Sequence, residues 1–224
     1  MKLVGKSFKR IKYQNMKMDS IIFDVDGTLW NACIACAKGW NEGLEELGVS
    51  LRVSAEDIES VAGRPQEECI DILLPDLRKR YPKSSQLLSE KENIYIGKEG
   101  GDFYKGVFEG IEKLSAKYPL FIVSNARQDY LEIFFKFAGF KELMKGYDCY
   151  GMSKLSKCGM LEKMRKNFQL KNPVYVGDTE VDEEAARLAQ IEFIYAAYGF
   201  GKPKDKHLSF SDFVSMTNYF LEKF

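Results

Sequence analysis

Asp24 and Asp26, two carboxylates separated by one valine, close the apolar run Ile21-Ile22-Phe23 and precede Gly27-Thr28-Leu29. An ionised carboxylate moved out of water costs several kcal/mol unless something compensates it. Two in succession therefore belong at the mouth of a strand, with partners such as a divalent cation. Side chains two apart on an extended backbone share a face, so Asp24 and Asp26 can point the same way. Gly27 supplies freedom for the turn, and Thr28 offers a hydroxyl and an N–H. Asp-Gly is also a common turn dipeptide, and alone the pair would fit a solvated turn. Two further apolar runs end in the same manner. Leu120-Phe121-Ile122-Val123 stops at Ser124-Asn125, and Val174-Tyr175-Val176 stops at Gly177-Asp178-Thr179, with Asp182 one helical turn beyond Asp178.

These residues need elements to carry them. Periodicity predicts helices over 31–47, closed by Gly48, and over 54–62, with Ser54 as N-cap. Gly63-Arg64-Pro65 breaks the second, and helices follow over 66–81 and 85–97. No strand is expected from about 34 to 102. Beyond Gly106 the pattern alternates: helix 107–117, strand 120–123, helix 128–138, a weaker strand 147–150, helix 158–168, strand 174–176, helix 181–190, strand 193–197 and helix 212–223. Strands alternating with helices indicate an α/β fold with a doubly wound, mostly parallel sheet, and such sheets bind ligands at the carboxyl ends of their strands. Three strands here put polar residues at that edge. The expected division is a basic tail over 1–18, an α/β core over 19–33 and 103–224, and an inserted all-helical domain over 34–102.

Apolar residues make up 45% of the chain and charged residues 29%, which suits a globular protein and argues against disorder. No apolar run approaches the roughly 20 residues that span a bilayer, so no membrane partner is expected. Lys plus Arg balance Asp plus Glu at 33 each, leaving no global field to draw nucleic acid. Residues 1–18 hold six basic side chains and no acid, without the apolar segment of a secretory signal. A tail, or a start at Met16 or Met18, accounts for them. Five cysteines with no disulfide-framework spacing suggest a reducing cytoplasm. Cys33 and Cys36 form a CxxC, but at helical spacing and with no second pair they suit buried small residues.

The chain resembles the haloacid dehalogenase superfamily of phosphohydrolases. The motifs run in family order: DxDGTL at Asp24–Leu29, a strand ending in Ser124, Lys157, and GDxxxD at Gly177–Asp182. The stretch from Val176 through Ala186, followed by Tyr198-Gly199-Phe200-Gly201, is most similar to the phosphoglycolate-phosphatase-like branch. The resemblance implies Asp24 as nucleophile, forming an aspartyl-phosphate, and Asp26 as general acid and then base. Ser124, Asn125 and Thr28 would hold phosphate oxygens, and Lys157 would add a fixed positive charge. It also implies Mg²⁺, held by Asp24, Asp178 and the Asp26 carbonyl, with Asp182 ligating directly or ordering waters or Lys157. Lys154 competes with Lys157, which is preferred because it precedes the helix whose Leu161 and Met164 face the core.

Ninety-seven residues lie between Asp26 and Ser124, which implies that the helical segment is the family's cap, closing over the site. Arg64 in the Gly63-Arg64-Pro65 loop is then a candidate to pair a substrate carboxylate or second phosphate. The expected function is Mg²⁺-dependent hydrolysis of a small phosphomonoester metabolite. Alternatives are a phosphomutase of the β-phosphoglucomutase type, an inorganic pyrophosphatase, or a non-catalytic binding protein on the same fold. Asp26 argues against carbon–halogen chemistry, because a halide leaving group needs no proton.

Overall fold

The computed structural model describes residues 18–223, so the basic tail and the Met16 start lie outside the described residues, and of that expectation only Met18 is seen. The chain opens with β1 (Ser20–Phe23) and β2 (Trp30–Asn31), then α1 (Cys33–Glu46), α2 (Ala55–Val61), α3 (Gln66–Leu73), α4 (Leu77–Arg80) and α5 (Ser84–Glu99). β3 (Asp102–Phe103) pairs antiparallel with β2, so the helical segment leaves and re-enters through a two-stranded ribbon. There follow α6 (Val107–Ser115), β4 (Leu120–Ser124), α7 (Gln128–Ala138), β5 (Met144–Cys149), α8 (Tyr150–Ser153) and α9 (Lys157–Asn167). β6 (Pro173–Gly177), α10 (Glu180–Leu188), β7 (Glu192–Ala196), β8 (Leu208–Phe210) and α11 (Phe213–Lys223) complete it.

Six strands form one parallel sheet in the order β5-β4-β1-β6-β7-β8. The chain builds outward from β1 to β4 and β5, then returns to add β6, β7 and β8 on the other side. The direction of winding therefore reverses at β1, and a crevice opens at its carboxyl end. Alternation along the strands divides the core. Ile21 and Phe23 of β1, with Ile122 and Val176, enter one apolar cluster, whereas Ile22, Phe121, Val123 and Tyr175 enter a second, with Met160 and Leu161 of α9 and Ala185 and Ala186 of α10. Both faces are covered, which is why these strands read as continuous apolar runs.

Several boundaries differ from those the sequence suggests. The helix expected over 66–81 is two, α3 and α4, because Pro75 cannot donate to a helical carbonyl and Asp76 follows at φ 65°. The strand expected at 147–150 is β5, displaced toward the N-terminus, with Tyr150 opening α8. β2, β3 and β8 are too short to show a period. Ser54 does cap α2, accepting from Asp57 N while Asp57 Oδ2 accepts from Ser54 N at 2.8 Å.

α1 and α5, the first and last helices of the segment, pack backbone against backbone at Gly39. A Cβ there would lie 2.5 Å from Glu92 Cα, which is main chain and cannot move aside locally. Gly39→Val should force the helices apart and destabilise the protein by about 1–3 kcal/mol, a fall in melting temperature of roughly 2–12 °C. An unchanged melting temperature would show that the two helices separate at no cost.

Candidate active site

Asp24 extends β1 by one residue on the same face as Ile22, the face that α9 and α10 cover. Its N–H still donates to Val176 O at 2.9 Å, so its backbone is held by the sheet. Lys157 opens α9 and Asp182 lies in the first turn of α10, and the packing of those helices brings both side chains to Asp24. Lys157 Nζ stands 2.6 Å from Asp182 Oδ1 and 3.2 Å from Asp24 Oδ2, with all three side chains at most 2% exposed. Lys154, the alternative, is exposed, sits at φ 57° after α8 and lies over the Tyr150 ring.

Asp182 is heavily committed. Oδ1 accepts from Lys157 Nζ and from Tyr175 Oη at 3.0 Å, and Oδ2 accepts from Thr179 N at 3.0 Å, Thr179 Oγ1 at 2.6 Å and Asp178 N at 3.3 Å. Thr179 Oγ1 reciprocally meets Asp182 N, a capping box that starts α10. Asp24 is the opposite case. It is buried and neither oxygen accepts a well-formed hydrogen bond, although Lys157 stands beside one of them. Asp178 is intermediate: Oδ2 accepts from Phe200 N at 2.7 Å and Oδ1 from Thr28 Oγ1 at 3.4 Å.

Oxygens of Asp24, Asp178 and Asp182 lie within 4.8 Å of one another. Three buried acids face one lysine, which leaves a surplus of negative charge. Burial, with the charges of Asp182 and Asp178 adding and Lys157 opposing, raises the Asp24 pKa well above its usual value. Burial and the Asp182 charge likewise push Asp178 up to about 7. Asp182 stays below its usual value despite burial, because Lys157 and Thr179 bond to its charged form. Lys157 is raised although burial opposes it, owing to Asp182 and Asp24. A hard divalent cation between Asp24 and Asp178 would take the unfilled lone pairs and the surplus charge, so the residues present fit one. Asp182, with both oxygens engaged, fits the holding of Lys157 better than ligation.

Gly27, at φ 77°, shapes this corner: a Cβ there would strike the Asp178 carboxylate. Asp26 takes hydrogen bonds on Oδ1 from Tyr130 Oη and from Trp30 Nε1, the latter at 3.2 Å. Burial, partly offset by the Tyr130 bond, brings its pKa up to about 6. Asp24, Asp26, Ser124, Asn125, Arg64 and Lys157 all line one cleft beneath the helical segment. Two of the expected phosphate ligands have other partners. Thr28 gives its hydroxyl to Asp178, and Asn125 Nδ2 donates to Gly63 O at 2.7 Å, tying the loop of the helical segment to the sheet edge. Arg64 Nη2 stands 3.6 Å from Glu180 Oε1. Tyr130, Trp30, Tyr175 and the Phe200 N–H were not singled out from sequence. Tyr175 lies in the apolar run 174–176 and Phe200 in the Tyr198–Gly201 segment, but neither position carries a signal of its role.

Residues 21–196 match the family model of haloacid dehalogenase-like hydrolases, and the chain belongs to that family. It is thus a hydrolase by class, and the fold recurs in solved structures. A haloacid dehalogenase-like hydrolase from Streptococcus pneumoniae superposes with a TM-score of 0.79 at 21% identity, over 91% of this chain and 98% of the other. Two predicted phosphoglycolate phosphatases also superpose. The one from Haemophilus somnus gives 0.75 at 22% identity over 90% and 97% of the two chains, and the one from Lactobacillus plantarum 0.76 at 20% over 91% and 99%. Among curated proteins no significant match is found.

Proposed function

We propose that this hydrolase is a Mg²⁺-dependent phosphatase acting on a small phosphomonoester through an aspartyl-phosphate at Asp24. The observation that carries the reading is the Asp24 carboxylate, buried yet without a well-formed hydrogen bond, facing a cleft beside Lys157. Most buried polar groups are paired, so a carboxylate with both oxygens open at a cleft calls for a ligand. The phosphatase names borne by solved neighbours of the same fold agree with it.

In the first step an Asp24 oxygen attacks phosphorus, the bond to the leaving alcohol breaks, and protonated Asp26 gives that oxygen its proton. A pKa of about 6 leaves a fraction of Asp26 protonated near neutrality. Tyr130 and Trp30 fix its carboxyl in place, and ionised Asp26 then takes a proton from the water that cleaves the Asp24–phosphorus bond. Lys157, oriented by Asp182, holds the nucleophile and a phosphate oxygen by charge. Ser124, at the end of β4, offers its hydroxyl toward the phosphate. Asp24 and Asp178, with the main-chain carbonyl of Asp26, would hold Mg²⁺, which supplies charge neutralisation on the phosphate oxygens. The helices over 34–102 serve as a cap that excludes water. The free, mostly buried cysteines support a reducing, cytoplasmic setting.

Purified protein incubated with a panel of phosphorylated metabolites should release phosphate with Mg²⁺ present. Chelation should lower the rate by about 10²-fold or more, as expected for several kcal/mol of charge stabilisation, and added Mg²⁺ should restore it. Phosphate release from no member of the panel would refute the proposal.

A further inference from the structure

The cleft above Asp24 and Lys157 has an apolar side, including Trp40 and Cys69, and a polar side formed by Gln66, Glu92 and Arg127. Its free volume is about 90 Å³. This is several times the roughly 10–15 Å³ a cavity needs to admit one water. That is room for a phosphate and a few further heavy atoms, so the far wall lies within reach of a small leaving group.

Glu92 of α5 dominates that wall. It is only 6% exposed, and the reaction above makes no use of it. Arg127 Nη1 donates to Oε2 at 2.5 Å and Gln66 Nε2 to the same oxygen at 3.2 Å. The Cys36 thiol, a weak donor, is also beside the carboxylate. A carboxylate offers about four lone-pair sites, so acceptor capacity remains. Arg127, in contrast, has four of its five N–H groups engaged. Nη2 donates to Asn93 Oδ1 at 2.7 Å and Ser89 O at 3.5 Å, and Nε donates to Asp129 Oδ1 at 3.1 Å. Lys157 is held between Asp24 and Asp182, and Arg64 faces Glu180. The polar wall thus presents a buried acceptor whose cation partner among the described residues, Arg127, already has four of its five N–H groups engaged with the protein.

We propose that Glu92 is a specificity-determining residue that selects phosphomonoesters whose leaving alcohol carries a hydrogen-bond donor, a hydroxyl or an ammonium group, and rejects those carrying a carboxylate there. This rests on the phosphatase reading and narrows it. A donor on the substrate completes the Glu92 shell. A substrate carboxylate would instead meet the like charge of Glu92 in a largely buried site, which disfavours it.

The test compares kcat/KM for glycerol phosphate, phosphoethanolamine and phosphoglycolate, with acetyl phosphate as a small reporter bearing neither donor nor carboxylate. The better of the two donor-bearing esters should exceed phosphoglycolate by about tenfold or more, the equivalent of 1.4 kcal/mol. Which of the two leads separates hydroxyl from ammonium recognition. In Glu92→Gln the ratio should fall toward one. Because that change strands Arg127, the double variant Glu92→Gln with Arg127→Gln, neutral and close in shape, should show the same loss. A preference for phosphoglycolate in the native protein, or an unchanged ratio in both variants, would overturn the assignment. Calorimetric binding of the three esters to Asp24→Asn protein gives the ranking without turnover. The expected ranking in a protein that does not hydrolyse even acetyl phosphate would count against the phosphatase reading alone, whereas no ranking there would count against Glu92.

Discussion

Asp24→Asn is expected to remove turnover, by about 10⁴-fold or more as befits loss of a nucleophile, while leaving the protein at least as stable as before. The two halves of this expectation have one cause. Asp24 is buried among two further acids with one lysine to share, and its pKa is raised, led by burial. A carboxyl whose pKa rises on folding is one whose charged form the fold disfavours, so at neutral pH it subtracts from stability. Asparagine keeps the volume and removes the charge, and Lys157 retains Asp182 as its partner at 2.6 Å. In metal-free buffer the variant should melt at or above the native temperature. Phosphate release and thermal melting on the same preparation decide it. Retained turnover would dismiss Asp24 as nucleophile, and a marked loss of stability would mean that its charge is better compensated than the geometry indicates.

Lys157→Met should have the opposite signature, harming fold and activity together. Among the described residues Nζ is the only cation paired with Asp24 and Asp182, and removing one partner of a buried pair costs about 3–5 kcal/mol because the other charge is left uncompensated. That corresponds to a fall in melting temperature of roughly 6–20 °C. Added Mg²⁺ should recover part of the stability by supplying positive charge to the acids, but not turnover. Lys154→Met, three residues away on the surface, should change neither quantity appreciably. If Lys154→Met were the variant that lost activity, the pairing described at Asp24 would have no catalytic meaning.

The sequence displayed the site's floor because the floor is built from local signals. A buried strand reads as an apolar run, and a carboxylate or serine at its mouth breaks that run visibly, as at Asp24, Ser124 and Asp178. The Thr179 to Asp182 capping box is equally local. Contacts made by folding alone could not be read. Tyr130 meets Asp26 across 104 positions, and Thr28 meets Asp178 across 150. No periodicity encodes either, so neither the Tyr130 bond to Asp26 nor the Asp178 acceptor for the Thr28 hydroxyl is legible in the sequence. Asp182 reads from sequence either as a metal ligand or as the residue that orders Lys157, because its five acceptor contacts, which favour the second role, are not legible there. Pro75 is a different matter: its ring and missing N–H are sequence facts, and they explain why the helix expected over 66–81 is two. The strands at Trp30, Asp102 and Leu208 are two or three residues long, too short for alternation to mark them.

The ribbon of β2 and β3 has a consequence for how this molecule can change. Trp30 pairs with Phe103 and Asn31 with Asp102, so the two points where the chain departs from the sheet and rejoins it are neighbours. The chain between them is joined covalently to the sheet at this one place, and replacing it wholesale would disturb no strand order in the sheet. On the proposed reading, selectivity and chemistry would then be written largely in separable tracts of one chain, and the first could be revised while the second is kept.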